Sequence, residues 1–170
     1  MKKISLLVLS TLLFCAMFVA CMEETGTPQT LKTDYKVENI NDINLFLNNW
    51  HQAATKADSA NYFGAFDNEG VFLGTDPNER WTKNEFAIWA AEYFHNDTAW
   101  NFLPADRNIV ISKEGNLAWF DEKLDTWMGT CRGSGVLVRT NKGWKIMQYN
   151  LAMLIPNEKT RSVVELIKGN

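Results

Sequence analysis

TCRGSGVLVRTNKGWKIMQYNLAML, residues 130–154, decides the fold. Apolar and polar residues alternate on both sides of Asn141-Lys142-Gly143, where Gly143 offers the positive φ of a tight turn. The pattern predicts two antiparallel strands, Thr130 to Thr140 and Trp144 to Leu154. Upstream, Lys113-Glu114-Gly115-Asn116 reads as a second hairpin turn. It joins an extended segment, Trp100 to Ser112, kinked at Pro104, to a strand over Leu117 to Asp125. The second half of the chain is therefore a meander.

The first half has another period. Val37, Ile40, Ile43, Phe46, Leu47, Trp50 and Ala54 are spaced by threes and fours, which predicts an amphipathic helix from about Val37 to Lys56. A short helical piece follows over Asp58 to Phe66, with Asp58 as N-cap. Asn68-Glu69-Gly70 reads as a turn before a short strand from Val71 to Gly74. Thr82 and Glu85 make a capping box, and Trp81 and Phe86 hold the positions of a hydrophobic staple. They start a helix that runs to Tyr93 or Phe94, with Phe86, Trp89, Ala90 and Tyr93 as its buried stripe. A last helix is expected from Glu158 to Ile167. Helices first and antiparallel strands after define an α+β chain, with helices packed on one face of a curved sheet.

MKKISLLVLSTLLFCAMFVAC, residues 1–21, is a targeting segment rather than a fold element. Lys2 and Lys3 precede an uncharged apolar run of about 16 residues, short of the ~20 that span a bilayer. Phe18-Val19-Ala20-Cys21 resembles the cleavage and lipidation site of a bacterial lipoprotein, with Phe18 where such signals usually carry Leu. The resemblance implies a signal peptide over 1–20, lipid on Cys21 and a flexible linker over 21–36. It also implies a periplasmic or surface-exposed domain anchored to the membrane of a cell envelope. Losing Lys2 and Lys3 moves the formal charge from −3 to −5. A mildly acidic chain without a basic cluster argues against nucleic acid. Of three cysteines only Cys131 remains in the domain, so no intrachain disulfide is available. Seven tryptophans and ten phenylalanines, all but Phe14 and Phe18 within the domain, offer the aromatic surface for a core instead. His51 and His95 lie far apart without a second ligand at helical spacing, so no metal site is expected, and no motif calls for a cofactor.

The motifs Gly70-Val-Phe-Leu-Gly-Thr-Asp76, Glu79-Arg80-Trp81, Leu117-Ala-Trp-Phe-Asp-Glu122, Arg132-Gly-Ser-Gly-Val-Leu-Val-Arg139 and Gly143-Trp-Lys-Ile-Met-Gln-Tyr-Asn150 together resemble the NTF2-like superfamily in its SnoaL-like branch. The resemblance covers residues 38 to 157. It places a SnoaL-like domain at 37–157 and a C-terminal extension at 158–170. It implies a cone in which a bent sheet wraps the helices and encloses an apolar pocket. Such proteins include isomerases, polyketide cyclases, dehydratases, epoxide hydrolases and non-catalytic binding or dimerising modules.

Alternation along the strands sorts the candidates. Trp144, Ile146, Gln148, Asn150 and Ala152 share one face. Relatives often place His or Ser at the last three of these positions, so that face is expected to look into the pocket. Gln148 and Asn150, with Arg132, are the expected polar ligand contacts. Trp50 and Trp81 line the mouth or pack in the core. Asp121 is the candidate acid–base group, with an ion pair to Arg132 as the alternative. Asp121 and Glu122 point to opposite faces, so at most one enters a pocket. Tyr149 is expected on the outer face, which in this family often pairs two subunits. Three functions stay open. One is a lipid-anchored module binding a small, mostly apolar molecule. The second is an isomerase, cyclase or hydratase using Asp121. The third is a non-catalytic dimerisation or docking domain.

Overall fold

The computed structural model of the chain describes residues 40–169. The expected signal peptide, the lipid on Cys21 and the linker lie outside the described residues.

Helix α1 (Ile40–Thr55) buries Ile43, Leu47, Trp50 and Ala54 of the stripe that the threes-and-fours spacing predicts, together with His51 and Ala53, while Ile40 at its start is exposed. Helix α2 (Ser59–Gly64) is short. Asp58 caps it by accepting from the Asn61 backbone N–H at 3.0 Å. Its Tyr62 sits in an aromatic cluster, 5.2 Å from Trp50 and 5.3 Å from Trp100 between ring centres. Strand β1 (Phe66–Leu73) begins five residues earlier than expected. Asn68-Glu69-Gly70 lies inside it, where its pairing shifts between Phe66 and Val71. Gly70 is needed there, because a Cβ would stand 2.7 Å from the Ile146 carbonyl oxygen. Strand β2 (Arg80–Thr82) leads into helix α3 (Lys83–Ala90) through the expected capping box. The Thr82 backbone N–H donates to Glu85 Oε2 at 2.8 Å, and the Glu85 N–H donates to Thr82 Oγ1 at 3.4 Å. The helix is shorter than predicted, and its last expected turn is the 3-10 turn Tyr93–His95.

The meander follows as β3 (Leu103–Ile111), β4 (Leu117–Thr126), β5 (Gly129–Thr140) and β6 (Gly143–Met153). Helix α4 (Thr160–Lys168) ends the described chain. The sheet order is β2-β1-β6-β5-β4-β3. The β3–β6 pairs are antiparallel, as is β1 with β2, whereas β1 runs parallel to β6. The expectation of an antiparallel sheet is corrected at that one seam, since β1 returns beside the last strand rather than beside its sequence neighbour. Helices α1, α2 and α3 cover the inner face of this curved, unclosed sheet, whereas α4 buries no residue. Phe66, Phe86, Phe120, Leu137, Ile146 and Tyr149 are among the residues of the core between them.

Candidate functional site: a buried carboxylate under an aromatic cavity

Strand β4 alternates with Ala118, Phe120, Glu122 and Leu124 buried. Three of these are ordinary core residues. The fourth is a carboxylic acid with no exposed surface. A buried charge costs several kcal/mol unless it is paired, and three elements converge to pair this one.

The first is α1. His51 lies on its buried stripe, one turn beyond Leu47, and its Nε2 is 2.7 Å from Glu122 Oε1. The second is β3. Between Ala105 and Asn108 this strand spends one residue more than β4 does between Lys123 and Asp121. The extra residue makes a bulge, with Asp106 at φ 47°. A bulge re-aims the side chain next to it. Here Arg107 turns inward, its Nε and Nη2 each 2.7 Å from Glu122 Oε2. Its Nη1 donates to the Asn44 carbonyl and to Asn48 Oδ1 at 3.1 and 2.8 Å, which ties the strand to α1. The third element is β6. Leu137 pairs with Ile146 but Val136 pairs with Gln148, so Met147 is an extra residue. The inward face is Trp144 and Ile146 before the bulge, and Tyr149 and Leu151 after it. The Tyr149 hydroxyl arrives beside the carboxylate over Gly133 of β5. A Cβ on Gly133 would collide with that hydroxyl and stand 3.1 Å from Glu122 Oε1.

Burial pushes the Glu122 carboxyl up. The hydrogen bond and charge of His51 and the charge of Arg107 outweigh it, so the group titrates below the ordinary range. Glu122 is therefore an anion and only accepts hydrogen bonds. It follows that the His51 Nε2, 2.7 Å away, donates to it. Burial and the nearby Glu122 charge raise the Tyr149 phenol well above its ordinary value. The Tyr149 hydroxyl and Trp50 Nε1 are buried without a hydrogen-bond partner among the described residues.

Above this cluster lies a cavity of about 290 Å³. Eleven of its lining residues are aromatic, Tyr149 among them, and His51 also lines it. Trp100, Phe72 and Phe86 form walls. Trp89 and Tyr93 are exposed by 45% and 44%, and Trp127 at the β4–β5 hairpin by 85%, which marks the mouth. Trp81 and Glu79 complete the rim. The Glu79 carboxylate accepts from the Asp76 backbone N–H at 3.2 Å and rests against Gly74, where a Cβ would collide with it.

Two of the expected contacts belong to this cavity. Trp50 lines it and is also core, 3% exposed and 4.6 Å from Tyr149 between ring centres. Trp81 lines it while stacking on Phe86 at 5.6 Å as the predicted staple. Gln148, Asn150, Arg132 and Asp121 are placed elsewhere, on the outer face of the sheet. Gln148 is exposed opposite Val136, and Asn150 lies opposite Ser134. Arg132 is exposed opposite Lys123 and Ala152, and Asp121 lies opposite Ser134 and Asn108. The expectation that the Gln148–Asn150 face looks inward is corrected, as is the outward placement of Tyr149. The Met147 bulge inverts the alternation midway along β6. Of the adjacent acids, the one that enters is Glu122. Asp121 and Arg132 are offset in register and do not pair, and the exposed ion pair nearby is Lys123 with Asp106 at 2.8 Å.

A helix-covered curved sheet with an apolar cavity above an ionised cluster defines a cone-type pocket protein. The chain belongs to the SnoaL-like domain family, whose model matches residues 43–156. Solved structures share the NTF2-like fold. A protein of unknown function from Pseudomonas putida is 14% identical, covering 70% of this chain and 89% of that one, with a TM-score of 0.58. A candidate dehydratase from Streptomyces avermitilis is 15% identical over 69% and 96%, with a TM-score of 0.57. A candidate ketosteroid isomerase from Parabacteroides distasonis is 16% identical over 70% and 91%, with a TM-score of 0.56. No curated protein matches the chain.

Proposed function

We propose that the domain binds a small, mostly apolar molecule in its aromatic cavity. The observation that carries this reading is the cavity itself, about 290 Å³ walled by aromatic rings, with His51 and Tyr149 on its floor. Apolar walls with a few convergent polar groups are what small-molecule sites consist of. Two buried donors without partners, Trp50 Nε1 and the Tyr149 hydroxyl, favour a ligand that carries an acceptor. Native mass spectrometry of the purified protein should detect a retained molecule, or tryptophan fluorescence should report saturable binding of apolar compounds. Ala99→Trp fills the cavity and should abolish binding, whereas Gln148→Leu with Asn150→Leu on the outer face should leave it unchanged. Binding that survives Ala99→Trp would overturn the assignment.

A second reading is favoured by the geometry of the cluster. His51 lines the cavity, and Glu122 on its Nε2 is placed to orient the ring and stabilise an imidazolium, as the partner of a general base does. The candidate isomerase and dehydratase among the solved relatives support it by analogy of fold alone. His51→Gln should then abolish hydrogen–deuterium exchange next to the carbonyl of a cyclic ketone probe without loss of binding. Exchange at an undiminished rate would exclude this role.

We further propose that Cys21 carries lipid and tethers the domain to a cell-envelope membrane. Cys21→Ser should move the protein from the detergent phase to the aqueous phase. Homodimerisation through the outer sheet face is supported by Leu117, Trp119 and Val110, each more than 40% exposed. Trp119→Glu should then shift sedimentation to the monomer, and an unchanged coefficient would count against that interface.

A further inference from the structure

We infer that the ligand of the aromatic cavity is a small organic cation, of the quaternary ammonium class. The inference rests on the pocket reading above and adds the charge of the occupant. An ammonium with methyl groups is apolar in shape and positive in charge, and aromatic faces attract it through their quadrupoles. Eleven aromatic side chains line this cavity, whereas no lysine or arginine does among the described residues. An anion entering it would find no lysine or arginine to pair with and would face mainly the negative faces of rings. The single charged rim group is the Glu79 carboxylate.

The rim is built to hold that carboxylate in place. Glu79 precedes β2, where side chains alternate. Glu79 and Trp81 line the cavity, while Arg80 between them is exposed and points the other way. The Asp76 N–H holds Glu79 Oε2 at 3.2 Å, and Gly74 leaves the space it occupies. Trp127 also lines the cavity, is 85% exposed and has no ring stacked on it among the described residues, so its indole is open to a ligand. Trp89 and Tyr93, with ring centres 5.2 Å apart, complete the entrance. The Tyr149 hydroxyl and Trp50 Nε1 beneath would take an acceptor on the same molecule, such as a hydroxyl or carbonyl oxygen.

Three probes of one shape test the inference on the full chain in maltoside micelles, read by tryptophan fluorescence and calorimetry. Choline is the cation, 3,3-dimethylbutan-1-ol its neutral carbon isostere and 3,3-dimethylbutanoate the anion. Choline should bind about tenfold tighter than the alcohol, within the range that cation–π attraction supplies, and the anion should bind weakest. Glu79→Gln should weaken choline about fivefold and leave the alcohol unchanged. Trp127→Ala, at an exposed hairpin tip, should weaken choline in a protein that remains folded. Equal affinity for cation and alcohol would overturn the cation assignment while keeping the pocket. Absence of binding by all three would overturn the cation and count against the pocket reading. A Glu79→Gln protein that still prefers choline tenfold would overturn the role given to the rim carboxylate.

Discussion

Glu122→Gln keeps the shape of the side chain and removes its charge, at the point where β3, β4 and α1 are joined. Both carboxylate oxygens are in use, one by His51 Nε2 and the other by the Arg107 guanidinium, each at 2.7 Å. The Arg107 side chain is only 8% exposed, so the variant leaves a nearly buried cation without its counter-ion. Removing one partner of a buried pair costs about 3–5 kcal/mol. The amide oxygen of Gln still accepts one hydrogen bond, which places the expected loss near the lower end, about 3 kcal/mol. For a domain of this size that is a fall in Tm of roughly 6–12 °C. Urea denaturation, extrapolated linearly to water, measures it, and an unchanged slope would show that the native state stays compact. Arg107→Met on the same background removes the orphaned cation and should restore part of the loss, so the two costs should fall short of additivity by more than about 1 kcal/mol. A Glu122→Gln loss under about 1 kcal/mol, or simple additivity with Arg107→Met, would refute the view that this pair is a buried, coupled ion pair.

Further expectations concern the same neighbourhood and its frame. The Glu122 carboxyl is held below its ordinary value of 4.5 in the folded protein. Its contribution to stability is therefore full above pH 4.5 and disappears as pH falls through the lower folded value. Acid unfolding curves should be steeper for the native protein than for Glu122→Gln, and parallel curves would contradict the assignment. Gly133→Ala drives a methyl group into the Tyr149 hydroxyl and should cost about 1–3 kcal/mol by overpacking. Adding Tyr149→Phe removes the colliding oxygen and should recover part of that cost in urea titrations, whereas full additivity would mean that the contact is absent. Thr82→Ala removes one arm of the capping box and should lower stability by about 1 kcal/mol in the same assay, with a loss near zero telling against the cap.

The helices, the capping box, the hairpin turns and the four-strand meander were legible because each is a local pattern. Ile43, Leu47, Trp50 and Ala54 repeat at helical spacing, and Thr82 with Glu85 is a cap by chemistry alone. The carboxylate cluster was partly legible. Reading Ala118, Phe120, Glu122 and Leu124 as one face shows an acid in an apolar row, and His51 on the α1 stripe shows a polar group where core belongs. Neither pointed to the other, because a sequence separation of 71 is closed only by the tertiary fold. The Gln148–Asn150 face was misread for a definite reason. Alternation is a reliable guide until a strand gains a residue, and a one-residue shift exchanges the two faces. Nothing in Lys145-Ile-Met-Gln148 announces the bulge at Met147, nor does Ala105-Asp-Arg107 announce the one that turns Arg107 inward. The parallel seam of β1 with β6 was hidden for the same reason, since it is a fact of topology rather than of period.

That seam governs the order in which the protein is assembled. The last strand of the meander lies in the middle of the sheet, with β1 on one side and β5 on the other. While the chain is being synthesised from its N-terminus, β1 and the three-residue β2 have no neighbour to complete them, and β5 shows an open edge. Phe72 must wait for Tyr149, its partner in register, until almost the whole domain has emerged. Pairings so distant in sequence form slowly, because loop closure precedes any gain from contact. Translation alone therefore cannot complete this domain strand by strand. A truncation before Gly143 would leave two half-sheets, β2-β1 and β5-β4-β3, with the open edges that only the final strand can join.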